Sequence, residues 1–432
     1  MISNLKLRLG YGENGHDKID NYMWGSSMTA ETSPWGTSYR VSHISNPKLK
    51  WESAIQTDGG IDLGLFNNRI ELTVDAYYKT SKNFLMQISV PSYLGGNTSD
   101  DIAAPYANVG KIENKGFDIT LNTQNIQTKD FSWSTNLNFS LNRNKVKALN
   151  ESGQAFYGAI DWYSEFQTAT ITRVGSPVGS FYGYTTEGLF KDKQDILNHA
   201  VQKADPSNSK INYVNKTAGV WVGDVKFKDL NNDNVIDTKD QKVIGSPYPD
   251  FTFGVTNSFT YKNIDLSFAV TGSIGGEILN FAKTLTEGQT SLWYNQSTKV
   301  LNHAVYGYTD AAGSTTDADN VYLANPNTNV PRATSTDVNR NNRMSDRFLE
   351  SATYVRLSSL TLGYTLPQSF AKKLQIERLR IYAGAQNLLT ITGYDGYDPE
   401  IGSYNQSALL TNIDRGHYPT PRIFTFGLNI DF

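Results

Sequence analysis

The sequence predicts an all-β protein that folds as a transmembrane antiparallel β-barrel. Three observations predict this class: apolar and polar residues alternate over long segments, connections alternate between short and long, and aromatic residues are abundant. The 432 residues include 25 Tyr, 20 Phe and 7 Trp, yet the mean hydropathy is only −0.45. Aromatic side chains with one apolar and one polar end suit the interface belts of membrane barrels.

The alternation has a period of two residues. Successive side chains of a strand point to opposite faces, so each of these segments has one apolar face and one polar face. In residues 70–78 the even positions are Ile, Leu, Val, Ala and Tyr, and the odd positions are Glu, Thr, Asp and Tyr. The same pattern recurs at 131–141, 251–261, 264–270 and 423–432. These segments are longer than the strands of about five or six residues that are common in soluble sheets.

The connections between about twelve predicted strands alternate in length. Short connections are predicted at 67–68, 127–129, 176–178, 262–263 and 366–375, the last with a short helix at 367–374. Long connections are predicted at 13–48, 86–113, 144–164, 191–248, 276–345 and 392–421, with a second helix at 193–203. Outer-membrane barrels have short periplasmic turns and long extracellular loops, so both chain ends are expected on the periplasmic side.

Composition argues against several other classes. The net charge of −3 provides no basic surface for nucleic acid, and the absence of cysteine rules out disulfides and thiolate metal clusters. No run of 18 apolar residues is present to form a transmembrane helix. Residues 1–9 lack the pattern of a signal peptide and read as a strand, so the chain is expected to begin inside a larger protein. Residues 1–432 are treated as one barrel unit.

No catalytic motif is identified, so we expect no enzymatic activity. Residues 10–15 match the glycine pattern of a dinucleotide site, but no helical periodicity follows, and that site requires a helix N-terminus. The five histidines are scattered along the chain. Asp398 and Glu400 are interpreted as loop carboxylates that are solvated or bonded to the backbone.

One acidic segment, residues 229–240, matches a twelve-residue calcium loop. Its oxygen ligands at positions 1, 3, 5, 7, 9 and 12 would be Asp229, Asn231, Asp233, the carbonyl of Val235, Asp237 and Asp240. Ile236 is expected to anchor the loop to an apolar core. Calcium is therefore the predicted cofactor, and no other is expected.

Two positions of this segment depart from the calcium-loop pattern. Asn234 replaces the glycine at position 6, which is tolerable because asparagine enters the left-handed region readily. Asp240 replaces the usual glutamate at position 12 and has a shorter reach. The alternative is an acidic turn that is closed by side-chain-to-backbone hydrogen bonds without a metal.

Aromatic residues in the predicted loops are candidates for stacking on sugar rings or peptide side chains. They are Trp162, Tyr163, Trp293, Tyr294, Tyr394 and Tyr397. For any one of them, a role in the interface belt or in loop packing is the favoured interpretation.

Several sequence blocks resemble one family. They are NPKLKWE (46–52), GIDLGLFNNRI (60–70), NVGKIENKGF (108–117), GDVKFKD (223–229), the acidic segment, IGSPYPDF (244–251), YVRL (354–357), LGY (362–364), QNL (386–388) and GYDPE (396–400). In content and order these blocks resemble the SusC/RagA-type TonB-dependent transporters of Bacteroidetes. The resemblance spans essentially the whole chain.

The resemblance implies a barrel of about 22 strands, of which this chain supplies about the last twelve. It implies import of oligosaccharides or peptides across the outer membrane, driven through TonB, with a SusD-like surface lipoprotein closing over the loops. A plug domain, TonB box and signal peptide would precede Met1. The final alternation ending at Phe432 resembles the signal that the barrel assembly machinery recognises, although a lipid-facing last strand accounts for it equally well.

Two other functions stay open at this stage. A secreted, soluble β-rich binding or adhesion protein with a dockerin-like calcium loop would also show alternating strands. A passive porin would share the barrel but would lack a plug. The loop composition does not separate a glycan importer from a peptide importer.

Overall fold

A computed structural model describes residues 1–17, 19–87, 105–149, 153–162, 165–288, 294–373 and 375–432. Within them, ten long strands form one antiparallel sheet in which each strand pairs with the one that follows it in chain order. The strands are β1 (Ile2–His16), β2 (Glu52–Leu65), β3 (Ile70–Gln87), β4 (Tyr106–Gln127), β5 (Phe131–Ala148), β6 (Phe251–Tyr261), β7 (Ile264–Ile274), β8 (Tyr354–Thr365), β9 (Arg378–Thr392) and β10 (Ile423–Asp431). This arrangement confirms the predicted antiparallel all-β class.

The register aligns apolar side chains in rows across the sheet. One row, each residue directly opposite the next, contains Leu5, Leu63, Leu72, Leu121, Leu137, Val255, Val270, Leu357 and Leu389. The neighbouring row contains Lys6, Asp62, Thr73, Thr120, Asn138, Gly254, Thr271, Arg356 and Thr390. Adjacent rows lie on opposite faces, so one face of the sheet is apolar and the other is polar.

The apolar face has no protein layer against it. Leu9 is 93% exposed and Phe426 is 81% exposed. Within the described residues, the three clusters of buried apolar side chains contain only residues from outside the ten strands. An exposed apolar surface of this extent requires a nonaqueous covering. The sheet therefore has the outward-facing apolar band of a membrane barrel.

Short connections and both chain ends lie at one end of the sheet. Backbone bonds join Phe66 N to Met1 O at 2.9 Å, Lys262 N to Asp130 O at 2.8 Å and Glu377 N to Asp431 O at 2.8 Å. In the first turn, Asn67 and Asn68 have φ angles of 59° and 60°, in the left-handed region that asparagine tolerates. The turn before β9 contains the helix Gln368–Lys373, as the sequence predicts.

The predicted number of strands is wrong by one hairpin. The turn at 176–178 exists, but its strands Glu165–Thr172 and Ser180–Gly183 belong to a separate four-stranded sheet. Thr170 and Phe181 are both fully buried, so these strands are covered by other loop residues. Residues 149–250 therefore form a single long loop, and the main sheet has ten strands. Removal of one hairpin preserves the alternation of short and long connections.

The long connections whose course is described leave from the other end of the sheet. They are L1 (17–51), L3 (149–250), L4 (275–353) and L5 (393–422). L2 (88–105) connects β3 to β4, and of it only residue 105 is described. L1 contains the hairpin Ser27–Ser33 and Gly36–His43. The predicted loop helix in L3 is shorter than expected, at Lys193–Leu197. No helix among the described residues has the length and apolar character needed to cross a membrane.

L3, L4 and L5 contain further short elements. In L3 these are strands Phe156–Trp162, Thr186–Leu189, Val225–Phe227 and Lys242–Gly245 and the 3-10 turn Thr238–Asp240. In L4 they are strands Glu277–Asn280, Tyr306–Tyr308, Val321–Leu323 and Leu349–Ser351, helix Lys283–Thr286 and 3-10 turns Thr298–Asn302 and Asp346–Phe348. In L5 they are the 3-10 turn Tyr404–Gln406 and strand Ile413–Asp414.

L3, L4 and L5 pack together into what we call the loop layer. One apolar cluster joins L3 to L4 around Trp221 and Phe227, and a second joins all three loops around Phe281 and Phe348. A third joins L4 to L5 through Ile278 and Tyr394. The loop layer is therefore the part of the chain that has a conventional protein core.

We predict that Ile119→Arg destabilises the sheet far more than Thr120→Arg. Ile119 lies opposite Val74 and Phe139 on the apolar face, whereas Thr120 lies on the polar face. An arginine facing lipid near the bilayer midplane costs about 2–4 kcal/mol. Denaturant titration in lipid vesicles measures the difference, and equal destabilisation by the two variants would contradict the assignment of faces.

Candidate functional site in the loop layer

The acidic turn 229–240 lies in L3 and is closed by its own side chains. The Asp229 carboxylate accepts hydrogen bonds from the backbone N–H groups of Asn232, at 2.7 Å, and Asn234, at 2.8 Å. Asn234 has a φ of 65°, which confirms the left-handed conformation expected at position 6. The opening aspartate thus shapes the turn at the position where a calcium loop carries glycine.

The middle of the turn holds two further predicted ligands. Asn231 Oδ1 accepts from Asp233 N at 2.9 Å, and Asp233 Oδ1 accepts from Val235 N at 3.0 Å. Asn231 Nδ2 also donates to Asp233 Oδ2 at 2.9 Å, and this bond is the main reason that the Asp233 pKa lies below its usual value. Lys239 Nζ is 3.8 Å from Asp233 Oδ2, so this carboxylate already has a cation nearby.

Asp240 closes the end of the turn. Its buried carboxylate accepts from Leu230 N at 2.9 Å and from Asp237 N at 2.8 Å, while Asp237 Oδ1 accepts from Lys239 N at 2.7 Å. Asp237 and Asp240 form a capping box around the short 3-10 turn. The side-chain-to-backbone bonds of the metal-free alternative are thus all present.

The turn is fixed to the core of the loop layer. Val201 N donates to Asn234 O, and Ile236 N donates to Val201 O, both at 2.9 Å. Ile236 is only 6% exposed and belongs to the apolar cluster of L3 and L4, which confirms its predicted anchoring role. Across the described part of the chain, no group of three or more Asp, Glu, His or Cys side chains is arranged to hold a metal. Calcium binding by the turn stays a prediction.

A buried ion pair joins L3 to L4. Asp224 is fully buried and Arg332 is 3% exposed. The guanidinium donates to the carboxylate through Nε at 2.6 Å and through Nη2 at 3.3 Å. Asp224 also accepts from Trp221 N at 2.8 Å and from Asn341 Nδ2 at 3.0 Å. Four donors around one carboxylate offset the cost of burying its charge.

Buried amide side chains extend this ion pair into a network. Gln202 Nε2 donates to Asn339 Oδ1 at 2.6 Å, and Asn339 Nδ2 donates to Val225 O at 3.0 Å. Asn341 Oδ1 accepts from Val225 N at 2.7 Å. Sequence reasoning missed this network, although the asparagine-rich segment 339–342 was a visible signal.

A second charged network joins L4 to L5. The Glu350 carboxylate accepts from Lys283 Nζ at 2.7 Å, Asn280 Nδ2 at 2.9 Å and Asp395 N at 2.8 Å. Asp395 forms an ion pair with Lys299, and this hydrogen bond is the main cause that lowers the Asp395 pKa. L3, L4 and L5 are therefore connected by polar contacts as well as by apolar clusters.

A third network connects L5 to the sheet. Arg356 of β8 donates to Asp398 Oδ1 at 2.6 Å and forms a second ion pair with Glu400. Asp398 is buried and also accepts from Glu400 N at 3.0 Å and Thr420 N at 3.1 Å. Of the two environments predicted for Asp398, the structure has the carboxylate that is bonded to the backbone, and Arg356 neutralises its charge in the interior.

The predicted loop aromatics have different environments. Tyr394 is 5% exposed and donates to Asp414 Oδ2 at 2.5 Å, and burial raises its pKa, so it has a packing role. Tyr397 is 79% exposed, and Tyr294 is partly buried. Tyr163, Trp293 and the side chain of Trp162 lie outside the described residues. Sequence reasoning missed the exposed tryptophans of L1, of which Trp35 is 94% exposed.

Phe432, the predicted assembly signal, follows β10 and is 89% exposed. Phe424 and Phe426 of the same strand are also exposed, at 61% and 81%. The strand therefore presents a column of rings on the apolar face. Its recognition by the assembly machinery stays a prediction.

We predict that Arg332→Leu loosens the contact between L3 and L4. Removing one member of a buried ion pair leaves an uncompensated charge and typically costs about 3–5 kcal/mol. Hydrogen exchange of the backbone around Trp221 and Val225 should accelerate strongly. The double variant Asp224→Asn with Arg332→Leu should recover part of the protection, because the unpaired charge is removed. Unchanged exchange in Arg332→Leu would contradict a stabilising role.

Comparison with known proteins identifies the family to which this architecture belongs. The model of the TonB dependent receptor-like β-barrel family matches residues 1–388. TonB-dependent receptor P3 of Formosa agariphila is 34% identical over 440 residues, covering 100% of this chain and 40% of that receptor. TonB-dependent receptor SusC of Bacteroides thetaiotaomicron is 27% identical over 447 residues, covering 100% of this chain and 38% of SusC.

A solved transporter structure also matches the whole chain. The RagAB peptide importer in its open-open state matches with a TM-score of 0.73 and 25% sequence identity, covering 100% of this chain and 40% of that chain. The chain spans about two fifths of the length of the curated relatives it matches. The rows of apolar residues, the short turns at one end and these matches agree. The chain belongs to the TonB-dependent receptor-like β-barrel family, is of the SusC/RagA type, and is an outer-membrane protein.

Proposed function

We propose that this chain is the barrel portion of an outer-membrane importer that takes up oligosaccharides or peptides with energy delivered through TonB. The observation that carries the proposal is the two-faced sheet of a TonB-dependent family, with an apolar face for lipid and a polar face for a lumen. TonB-dependent transporters translocate a substrate without changing it chemically, so we propose no catalytic step. The TonB contact and the plug would lie outside residues 1–432.

The sequence also left open that the chain is a soluble adhesion protein, and that interpretation is wrong. Its strands would need a protein layer over their apolar face, and the described residues provide none. Membership of a β-barrel receptor family also argues against a soluble adhesion protein.

We propose that the loop layer is the platform for a SusD-like surface lipoprotein. Three apolar clusters and the Asp224–Arg332 pair make L3, L4 and L5 a preorganised surface rather than separate flexible loops. Preorganisation lowers the conformational entropy that binding has to overcome. The matched RagAB structure is described as a peptide importer, and that description supports a peptide as one candidate substrate.

We also propose that the acidic turn 229–240 binds calcium as a structural ion. Its carboxylates and amide oxygens are the hard ligands that calcium prefers, and its backbone has the left-handed residue that such loops need. Bound calcium would stiffen one edge of the loop layer. It would take no part in transport chemistry.

Deletion of the TonB system should abolish uptake of the substrate by cells that carry this protein. The measurement is accumulation of a fluorescent oligosaccharide or peptide library, with and without TonB. A passive porin would give the same uptake in both strains, and that outcome would refute the proposed energy coupling. Co-purification of a surface lipoprotein with the protein from membranes tests the partner separately.

Calorimetric titration should detect one calcium site in the wild type and none in Asp233→Ala. Asp205→Ala is a matched control, because Asp205 also closes a turn of L3, through a 2.8 Å bond from Ser207 N, but lies outside the acidic segment. Chelation should lower the melting temperature of the wild type only if calcium is bound. Absence of a binding signal in the wild type would refute the site and leave the metal-free turn as its description.

A further inference from the structure

A cavity of about 410 Å³ lies where the loop layer meets the sheet. L3 contributes Tyr248 between two prolines, L5 contributes Glu400 and Asn412, and the sheet contributes strand residues of β6, β7 and β8. Cavities of about 300–1,000 Å³ at junctions between structural units are the usual places for small-molecule ligands.

The sheet residues of this cavity belong to the polar face. Thr252 lies opposite Ser273, and Ser273 lies opposite Tyr354, so the three residues form one row. The row continues through Ser140 and Asp118 to Asp75. The cavity is therefore located on the lumen side of the sheet, directly beneath the loop layer.

The cavity contains a fixed carboxylate but no cation of its own. Tyr354 donates to Glu400 Oε1 at 2.6 Å, and Arg356 forms an ion pair with the other carboxylate oxygen. The Arg356 side chain is 5% exposed, whereas the Glu400 side chain is 46% exposed. None of the lining residues is Lys, Arg or His. Arg356 also pairs with Asp398, so the three charges sum to −1 and the cavity disfavours anionic ligands.

The cavity also has hydroxyl groups with unused hydrogen-bonding capacity. Within the described residues, the side-chain hydroxyls of Tyr248, Thr252 and Ser273 make no hydrogen bond. Tyr248 is partly buried, and this burial raises its pKa. Tyr248 lies between Pro247 and Pro249 in the sequence, and all three residues line the cavity. An aromatic surface is thus placed beside several polar groups that can both donate and accept.

We propose that this cavity is a subsite for one uncharged sugar ring of the imported substrate. The proposal rests on the proposed import function and selects the glycan over the peptide. A sugar ring has an apolar face for Tyr248 and hydroxyls for Thr252, Ser273 and Glu400. An apolar peptide side chain would leave these polar groups unpaired, at a cost in affinity. An acidic sugar or an acidic peptide would be repelled by the Glu400 carboxylate.

The test is calorimetric titration of the detergent-purified protein with defined probes. The neutral probes are maltotetraose, xylotetraose, cellotetraose and laminaritetraose, the acidic probe is trigalacturonate, and the peptide probe is tetraalanine. The variants are Tyr248→Ala, Tyr248→Phe and Glu400→Gln. Tyr418→Ala is the matched control, because Tyr418 is an exposed tyrosine of L5 outside the cavity.

We expect at least one neutral sugar to bind, with affinity weakened about tenfold or more by Tyr248→Ala and unchanged by Tyr418→Ala. Tyr248→Phe keeps the ring and should weaken binding less, which separates stacking from misfolding. If Tyr248→Ala leaves the affinity for the sugar unchanged, the subsite proposal is refuted. Failure of every neutral sugar to bind also overturns it, as does preference for tetraalanine or trigalacturonate. Those outcomes leave the import proposal standing if TonB-dependent uptake is observed, whereas loss of TonB dependence refutes import itself.

Discussion

The apolar face of the ten-stranded sheet is the constraint on which the rest of the structure depends. Nine strands contribute to one continuous row from Leu5 to Leu389, and nothing in the described chain covers it. In water such a surface would drive aggregation, whereas in a bilayer it is the surface that lipid requires. The strand length, the tight turns at one end and the polarity of the opposite face all follow from placing the sheet in lipid.

Because lipid covers the sheet, the conventional protein core has to lie elsewhere. It lies in the loop layer, where L3, L4 and L5 bury Trp221, Phe281 and Phe348 among one another. Buried charge in this layer is balanced by close partners, as in the pair of Asp224 with Arg332. Long loops that were independent would lose much conformational entropy on binding a partner. Because the shared core already orders the loops, less conformational entropy is lost when a partner binds.

The strands were predictable from the sequence because their period of two residues is a local signal. The hairpin at 176–178 was assigned to the wrong sheet because a short turn looks the same locally in either sheet. Local signals did not show which distant residues pair: Asp224 and Arg332 are 108 positions apart, and Arg356 and Asp398 are 42 apart. The acidic turn was predictable in shape, since Asn234 and Ile236 behave as expected. Local patterns thus determined the elements, and only the fold revealed their partners.

Arg356 is where the two parts of the molecule depend on each other. It belongs to the polar row of β8, so the register of the sheet fixes its position. Its guanidinium holds Asp398 and Glu400 of L5, and Asp398 in turn binds Thr420 N near the start of β10. Displacement of Glu400 by a ligand would therefore act on a residue that is fixed in the sheet and on the loop that returns to the last strand. The charged contacts of Arg356 thus join the cavity to both the sheet and the loop layer.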